Sequence, residues 1–169
     1  MTPDNIVLTG FMGTGKTSVG RILATRLDWP LVDTDAVVEE LAGRPVPEII
    51  RIEGEPVFRR WEREACKRVA TGKQQVVATG GGTLLDPENR TALCDGGLVV
   101  CLTCDPREIA RRLNGDETRP LLDPDPVTRI RELLEARATV YDALPHHVDT
   151  TSGSPEQVAN EILSLWRQA

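Results

Sequence analysis

Gly10-Phe11-Met12-Gly13-Thr14-Gly15-Lys16-Thr17 has the spacing GxxxxGK[ST], between an apolar β-branched run and a helical one. These residue types suit a polyphosphate. Glycines let successive backbone N–H groups curl around phosphate oxygens, and a helix N-terminus adds its positive dipole end. Gly13, Thr14, Gly15, Lys16, Thr17 and Ser18 are the expected nucleotide contacts. Lys16 would reach the outer phosphates and Thr17 would offer its hydroxyl to magnesium. The same loop serves regulatory GTPases, but the chain has neither an NKxD nor a DxxG element. That favours a phosphotransferase using ATP and Mg2+ over a switch protein.

A second set of residues suits an acceptor. Asp33-Thr34-Asp35 ends a short apolar run, and on a strand residues two apart share a face. One carboxylate near magnesium and one near an acceptor hydroxyl would suit phosphoryl transfer, which needs positioning more than covalent chemistry. A helix-capping pair is the alternative. Gly80-Gly81-Gly82 follows another apolar run and allows backbone to approach a ligand closely, unless it is only a flexible turn. Arg137 falls within the stripe Ile130, Leu134, Tyr141, where a guanidinium must snorkel or find an anion. Arg59 lies beside Phe58 and Trp61, with Glu62 as an intrahelical partner in the simpler reading. Two such arginines could clamp a substrate carboxylate.

These residues need a scaffold. Strands are expected at Asn5 to Thr9, Leu31 to Asp33, Gln74 to Thr79, Leu98 to Cys104 and His146 to Asp149. Helices are expected at Lys16 to Leu27, from about Ala36 to Thr71 with breaks at Gly43-Arg44-Pro45 and Gly54, from Val127 to Leu144, and at the C-terminal end. Such alternation predicts a parallel sheet with helices on both faces. Asp86-Pro87, Asp105-Pro106 and Ser154-Pro155 read as helix starts, with Glu108 and Gln157 at the capping-box position. The stretch from Asn114 to Pro126 follows neither period and reads as a lid, or else as a solvated connector.

Composition narrows the field. The chain has 169 residues and 40% hydrophobic content, enough for one domain over residues 1–169. A net charge of −6 argues against nucleic acid or a membrane surface as partner. The N-terminus enters an apolar strand with no basic leader, so the cytoplasm is the expected compartment. A monomer is the expected assembly. Cys101 and Cys104 have CxxC spacing but sit in an apolar run, where cysteine is a small hydrophobe, and their opposite parity separates them. His146 and His147 read as structural.

Assembled in order, these motifs resemble shikimate kinases. The resemblance rests on GFMGTGKTSVGR from Gly10, DTD from Asp33, FRRWE from Phe58, GGG from Gly80, RPLL from Arg119, and Arg137 followed by Tyr141. It implies a P-loop NTPase fold of three α/β/α layers, with a five-stranded parallel sheet in order 2-3-1-4-5. It implies ATP-dependent phosphorylation of shikimate to shikimate 3-phosphate, toward chorismate and the aromatic amino acids. By motif, Asp35 would orient and deprotonate the acceptor hydroxyl. Asp33 would support magnesium through its water shell, Arg59 and Arg137 would hold the shikimate carboxylate, and Gly81 would meet the ring hydroxyls. The helical segment at about 34–71 would bind shikimate, and Arg119 in the lid at about 114–126 would close over the phosphates. A sugar-acid kinase of gluconate type and a non-catalytic nucleotide switch are the alternatives. One departure is that Thr150-Thr151-Ser152-Gly153-Ser154 has no basic residue for adenine, so a backbone-only base contact is expected. The lid is also acidic, with Asp116, Glu117, Asp123 and Asp125.

Overall fold

Five β-branched runs pair side by side as parallel strands: β1 (Asn5–Gly10), β2 (Leu31–Asp33), β3 (Gln75–Ala78), β4 (Gly97–Thr103) and β5 (His146–Asp149). The computed structural model describes residues 3–114 and 125–169. The strand order is β2-β3-β1-β4-β5, as expected. Eight helices fill the described connections: α1 (Lys16–Leu27), α2 (Thr34–Ala42), α3 (Val46–Glu53), α4 (Glu55–Ala70), α5 (Pro87–Cys94), α6 (Pro106–Leu113), α7 (Pro126–Asp142) and α8 (Pro155–Gln168). Strand order reverses across β1, so the loop at its C-terminal end opens into the crevice where such sheets bind ligands.

The period of two along the strands divides the core. Ile6, Leu8, Val100 and Leu102 pack with Val19 and Leu23 of α1 and Val158 and Ile162 of α8. Val7, Val77, Val99 and Cys101 pack on the other face with Cys66 and Val69 of α4, Leu93 of α5 and Tyr141 of α7. Burying each such side chain contributes about 1.5–3 kcal/mol before entropy is subtracted. A third cluster (Val38, Ile49, Phe58, Ala65) welds α2, α3 and α4 together. A fourth (Phe11, Ile109, Ile130) pins α6 and α7 against the loop after β1.

Three expectations change in detail. β2 stops at Asp33, whose side chain accepts from Asp35 N at 2.8 Å and caps α2. Asp35 is therefore in the first turn of a helix, not on a strand face. Cys104 lies past the end of β4, so strand parity does not separate it from Cys101. Asp86, Asp105 and Ser154 do cap helices, but the capping box closes only at Ser154 and Gln157. At Asp105 the backbone N–H goes to Thr151 Oγ1 at 2.9 Å, which frees Glu108 for Arg111 and Arg112. The expected lid, apart from Asn114 and its last two residues, lies outside the described residues, and with it Arg119.

Candidate active site

The β1–α1 loop owes its shape to backbone that only glycine enters without strain. Gly10 takes φ +136°, and a β-carbon there would collide with Leu102 O. Gly15 takes φ +99° at the N-cap of α1, where no side chain caps the helix. The first N–H groups of α1 therefore stay open for an anion. Lys16 Nζ folds back to donate to Gly10 O at 2.7 Å and Phe11 O at 3.0 Å, which keeps its charge at the loop. Thr17 and Ser18 are exposed on the first turn, whereas Thr14 is buried and donates its hydroxyl to Phe11 O at 2.7 Å. Thr14 thus helps to shape the loop, and it also lines the larger cavity beside it.

A recess of about 280 Å³ is lined by Gly13, Gly15, Lys16, Thr17, Ser18 and Arg112. Another cavity, of about 550 Å³, reaches from Gly15 and Ser18 to Arg111, Arg112, Gly153 and Pro155. Its size is within the usual range for a small-molecule site. Two arginines of α6, Arg111 and Arg112, line this space beside the Thr150–Ser154 loop, which itself has no basic residue. Arg112 donates to Gly13 O at 3.2 Å and Thr150 O at 2.5 Å, and pairs with Glu108 at 2.9 Å. Thr150 in turn donates to Thr14 O at 2.8 Å, so one buried hydroxyl links the β5–α8 loop to the glycine loop. Sequence reasoning passed over Arg112. Its only signal was an Arg-Arg pair in the last turn of α6.

The acceptor half forms where three distant side chains meet three glycines. A β-carbon on Gly80 would lie 3.0 Å from Asp35 Oδ1, on Gly81 3.1 Å from Arg137 Nη1, and on Gly82 2.9 Å from Arg59 Nη2. The same position on Gly81 is 3.5 Å from Gly10 O, so this turn abuts the nucleotide loop. Gly80 N–H is committed to Thr34 Oγ1 at 3.2 Å, and Gly81 O accepts from the Tyr141 hydroxyl. Asp35 Oδ1 and Arg137 Nη1 are buried with no hydrogen-bond partner among the described residues. Unpaired buried polar groups of opposite charge tendency are costly in a free protein and point to a ligand that completes them. The Arg137 guanidinium lies 5.1 Å over the Phe11 ring, which holds it on the stripe of α7. Arg59 bonds Glu62 at 2.8 Å as expected, and also Glu55 at 3.1 Å.

Burial pushes the Asp35 carboxyl up to about 6, and the negative charges of Asp33, Glu62 and Glu39 add to this against the opposing Lys16. A carboxylate so placed is a better proton acceptor than a solvated one. Asp33 is exposed and has one oxygen beyond its capping bond. Among the described residues no group of three or more His, Cys, Asp or Glu forms a metal cage. The hard oxygens of Thr17 and Asp33 fit magnesium that arrives with phosphates, which is that ion's usual mode.

The remaining candidates stay outside the site. His147 Nε2 bonds Tyr141 O at 2.8 Å and fastens the end of α7. All four cysteines are free. Burial pushes the Cys66 thiol up to about 12 and Cys101 up to about 11, which keeps both unreactive. Cys94 is half-buried and its thiol is also raised by burial.

Comparison with known proteins places the fold in a family. A family model described as shikimate kinase matches residues 12–167. A shikimate kinase of Symbiobacterium thermophilum is 48% identical, over 94% of both chains. One from Caldanaerobacter subterraneus subsp. tengcongensis is 44% identical, over 96% of this chain and 95% of the other. The solved structure of shikimate kinase from Acinetobacter baumannii in complex with shikimate is 36% identical. It superposes with a TM-score of 0.90, covering 99% of this chain and 94% of that one. Sequence kinship over nearly the full length and a shared fold lead to one conclusion: the chain belongs to the shikimate kinase family.

Proposed function

We propose that this chain transfers the terminal phosphoryl group of ATP to the 3-hydroxyl of shikimate, giving shikimate 3-phosphate and ADP. The observation that carries the reading is the meeting of Asp35, Arg59 and Arg137 on one glycine turn beside the nucleotide loop. Arg59 and Arg137 hold the carboxylate of the acid, and the backbone of Gly81 and Gly82 packs against its ring. Asp35 orients the hydroxyl and accepts its proton as the new O–P bond forms. Gly13, Gly15, Lys16, Thr17 and Ser18 hold the phosphates, with Lys16 moving from the loop carbonyls to the outer phosphate oxygens. Thr17 directly and Asp33 through water would hold magnesium, which when bound offsets charge on the phosphates. Arg111 and Arg112 flank the base.

We read the monomer as the working unit. Four free thiols fit a reducing compartment, and we read the cytoplasm as that compartment. Coupled ADP release tests the reaction, with shikimate, with gluconate, with no acceptor, and with EDTA. ADP formation that depends on shikimate and on divalent metal is expected. Equal rates with gluconate, or without any acceptor, would overturn the assignment.

A further inference from the structure

Arg59 holds two partners at once. Outward, its Nε and Nη2 reach Glu55 Oε1 at 3.3 and 3.1 Å, and that carboxylate is 65% exposed. Inward, its Nη1 reaches Glu62 Oε2 at 2.8 Å, and Glu62 is 1% exposed. Nη2 and Nη1 lie 2.9 and 3.2 Å from where a Gly82 β-carbon would stand, so the guanidinium faces the acceptor space with both partners engaged, and of the two only Glu62 is buried. A buried carboxylate holds a position reliably when both of its oxygens have donors. The donor to Glu62 Oε1 is the Thr83 hydroxyl, at 2.7 Å, from a residue with no exposed surface.

Thr83 is itself fixed by the elements around the glycine turn. Its N–H goes to Gly80 O at 3.2 Å, and its carbonyl accepts from the buried Asn89 Nδ2 of α5 at 3.0 Å. It begins the 3-10 turn Thr83–Leu85 that follows the three glycines. Its oxygen also lies 3.0 Å from where a Gly80 β-carbon would stand, as Asp35 Oδ1 does on the same residue. The Thr83 proton is committed to Glu62, which leaves the Asp35 oxygen free for a ligand.

We infer that Thr83 is a positioning residue for the acceptor site: through Glu62 it holds Arg59 in register with the glycine turn and so sets affinity for the acid. The inference rests on the reading of Arg59 as a carboxylate clamp. Thr83 touches no reacting atom. Without its hydroxyl, Glu62 Oε1 is a dry acceptor with no donor, and the inner pair loses its advantage over the solvated pair with Glu55.

The test compares Thr83→Val, which keeps the shape and removes the donor, with Thr83→Ser, which keeps the donor. Steady-state kinetics are measured for each substrate in turn, with thermal melts as a check on folding. Thr83→Val is expected to raise KM for shikimate about ten-fold or more, the scale of a hydrogen bond to a charged group. KM for ATP and kcat should change much less, and Thr83→Ser should restore KM for shikimate. An unchanged KM for shikimate in Thr83→Val, equal damage to both KM values, or a Ser variant as poor as Val would each overturn the inference. If Thr83→Val does not fold, Thr83→Ala against Thr83→Ser decides by the same criteria. Arg59→Ala separates the two levels. If it leaves KM for shikimate unchanged, the clamp reading itself fails. If it raises KM and the Thr83 donor proves irrelevant, only the positioning role fails.

Discussion

Asp35→Asn removes one charge and keeps the shape, so it separates the cost of storing the base from its use. Burial, with help from Asp33, Glu62 and Glu39, lifts this carboxyl from 3.8 to about 6 in the folded chain. The folded state therefore binds the proton more tightly than the unfolded state. Stability is unaffected below about pH 4, falls as the pH rises toward 6, and stays lowered above that. At 1.36 kcal/mol per unit the shift corresponds to about 3 kcal/mol, and solvent reaching the partly open carboxyl reduces this to about 1–3 kcal/mol. The Asn variant should recover that amount near pH 8, a rise in Tm of about 2–12 °C for a domain of this size. Thermal melts of ligand-free protein in EDTA, from about pH 4 to 8, measure it. The advantage of the variant should close as the pH drops through the interval between the folded and unfolded values. Turnover should fall by about 10²–10⁴-fold near pH 8, where Asp35 is ionised, and by less as the pH drops below about 6. An Asn variant that is no more stable near pH 8, or whose advantage is the same at both ends, would refute the dry, like-charged environment argued for Asp35. Near-normal turnover would refute its role as base.

Arg137→Ala should raise Kd for shikimate more than Arg59→Ala does, by about 10–100-fold, because Arg137 carries the buried N–H without a partner whereas Arg59 already has Glu62. Calorimetric titration of both variants checks the order, and the reverse order would contradict it. Gly81→Ala places a methyl group 3.1 Å from Arg137 Nη1 at a residue whose φ is not positive. The expected result is a KM for shikimate raised by about ten-fold or more with little change in Tm, since small displacements at a site cost rate steeply. Arg112→Ala cuts the ties to Gly13 O and Thr150 O and should raise KM for ATP about ten-fold while sparing KM for shikimate. Equal effects on both substrates would point to a general loss of fold instead.

The parts of the site that lie close together in sequence were legible in it. Gly10 to Thr17 shows its role in eight consecutive residues, because a turn, a helix start and a lysine suffice for phosphate. Helix starts at Asp86 and Ser154 were equally local. The aspartates at 33 and 35 were identified, but their geometry was misjudged, since a period-two argument does not apply once Asp33 caps a helix. Arg112 was invisible for a different reason. Its acceptors are 99 residues away at Gly13 and 38 away at Thr150, and no local pattern encodes such pairs. The Thr151 contact that displaced a capping box at Asp105 spans 46 residues. The meeting of residues 35, 59 and 137 on one turn also depends on packing between α2, α4 and α7, and the family resemblance supplied what periodicity could not.

The way each cation is held explains how a chain of net charge −6 accepts two anions of unequal charge. On the nucleotide side Lys16 has carbonyl acceptors, and Arg111 and Arg112 share the single carboxylate of Glu108. Carbonyls orient a cation without cancelling it, and two arginines sharing one carboxylate leave positive charge on α6, which suits a polyphosphate. On the acceptor side Arg59 faces the buried Glu62, and Arg137 faces the space shared with Asp35. With Glu55 also on Arg59, carboxylates there offset the two guanidinium charges, so on the proposed function this end would suit a monocarboxylate better than a polyphosphate. The carboxylates that reduce general anion affinity there are the ones that aim Arg59 and raise the proton affinity of Asp35. On the proposed function, selectivity between the two substrates and activation of the base would therefore arise from the same buried negative charge.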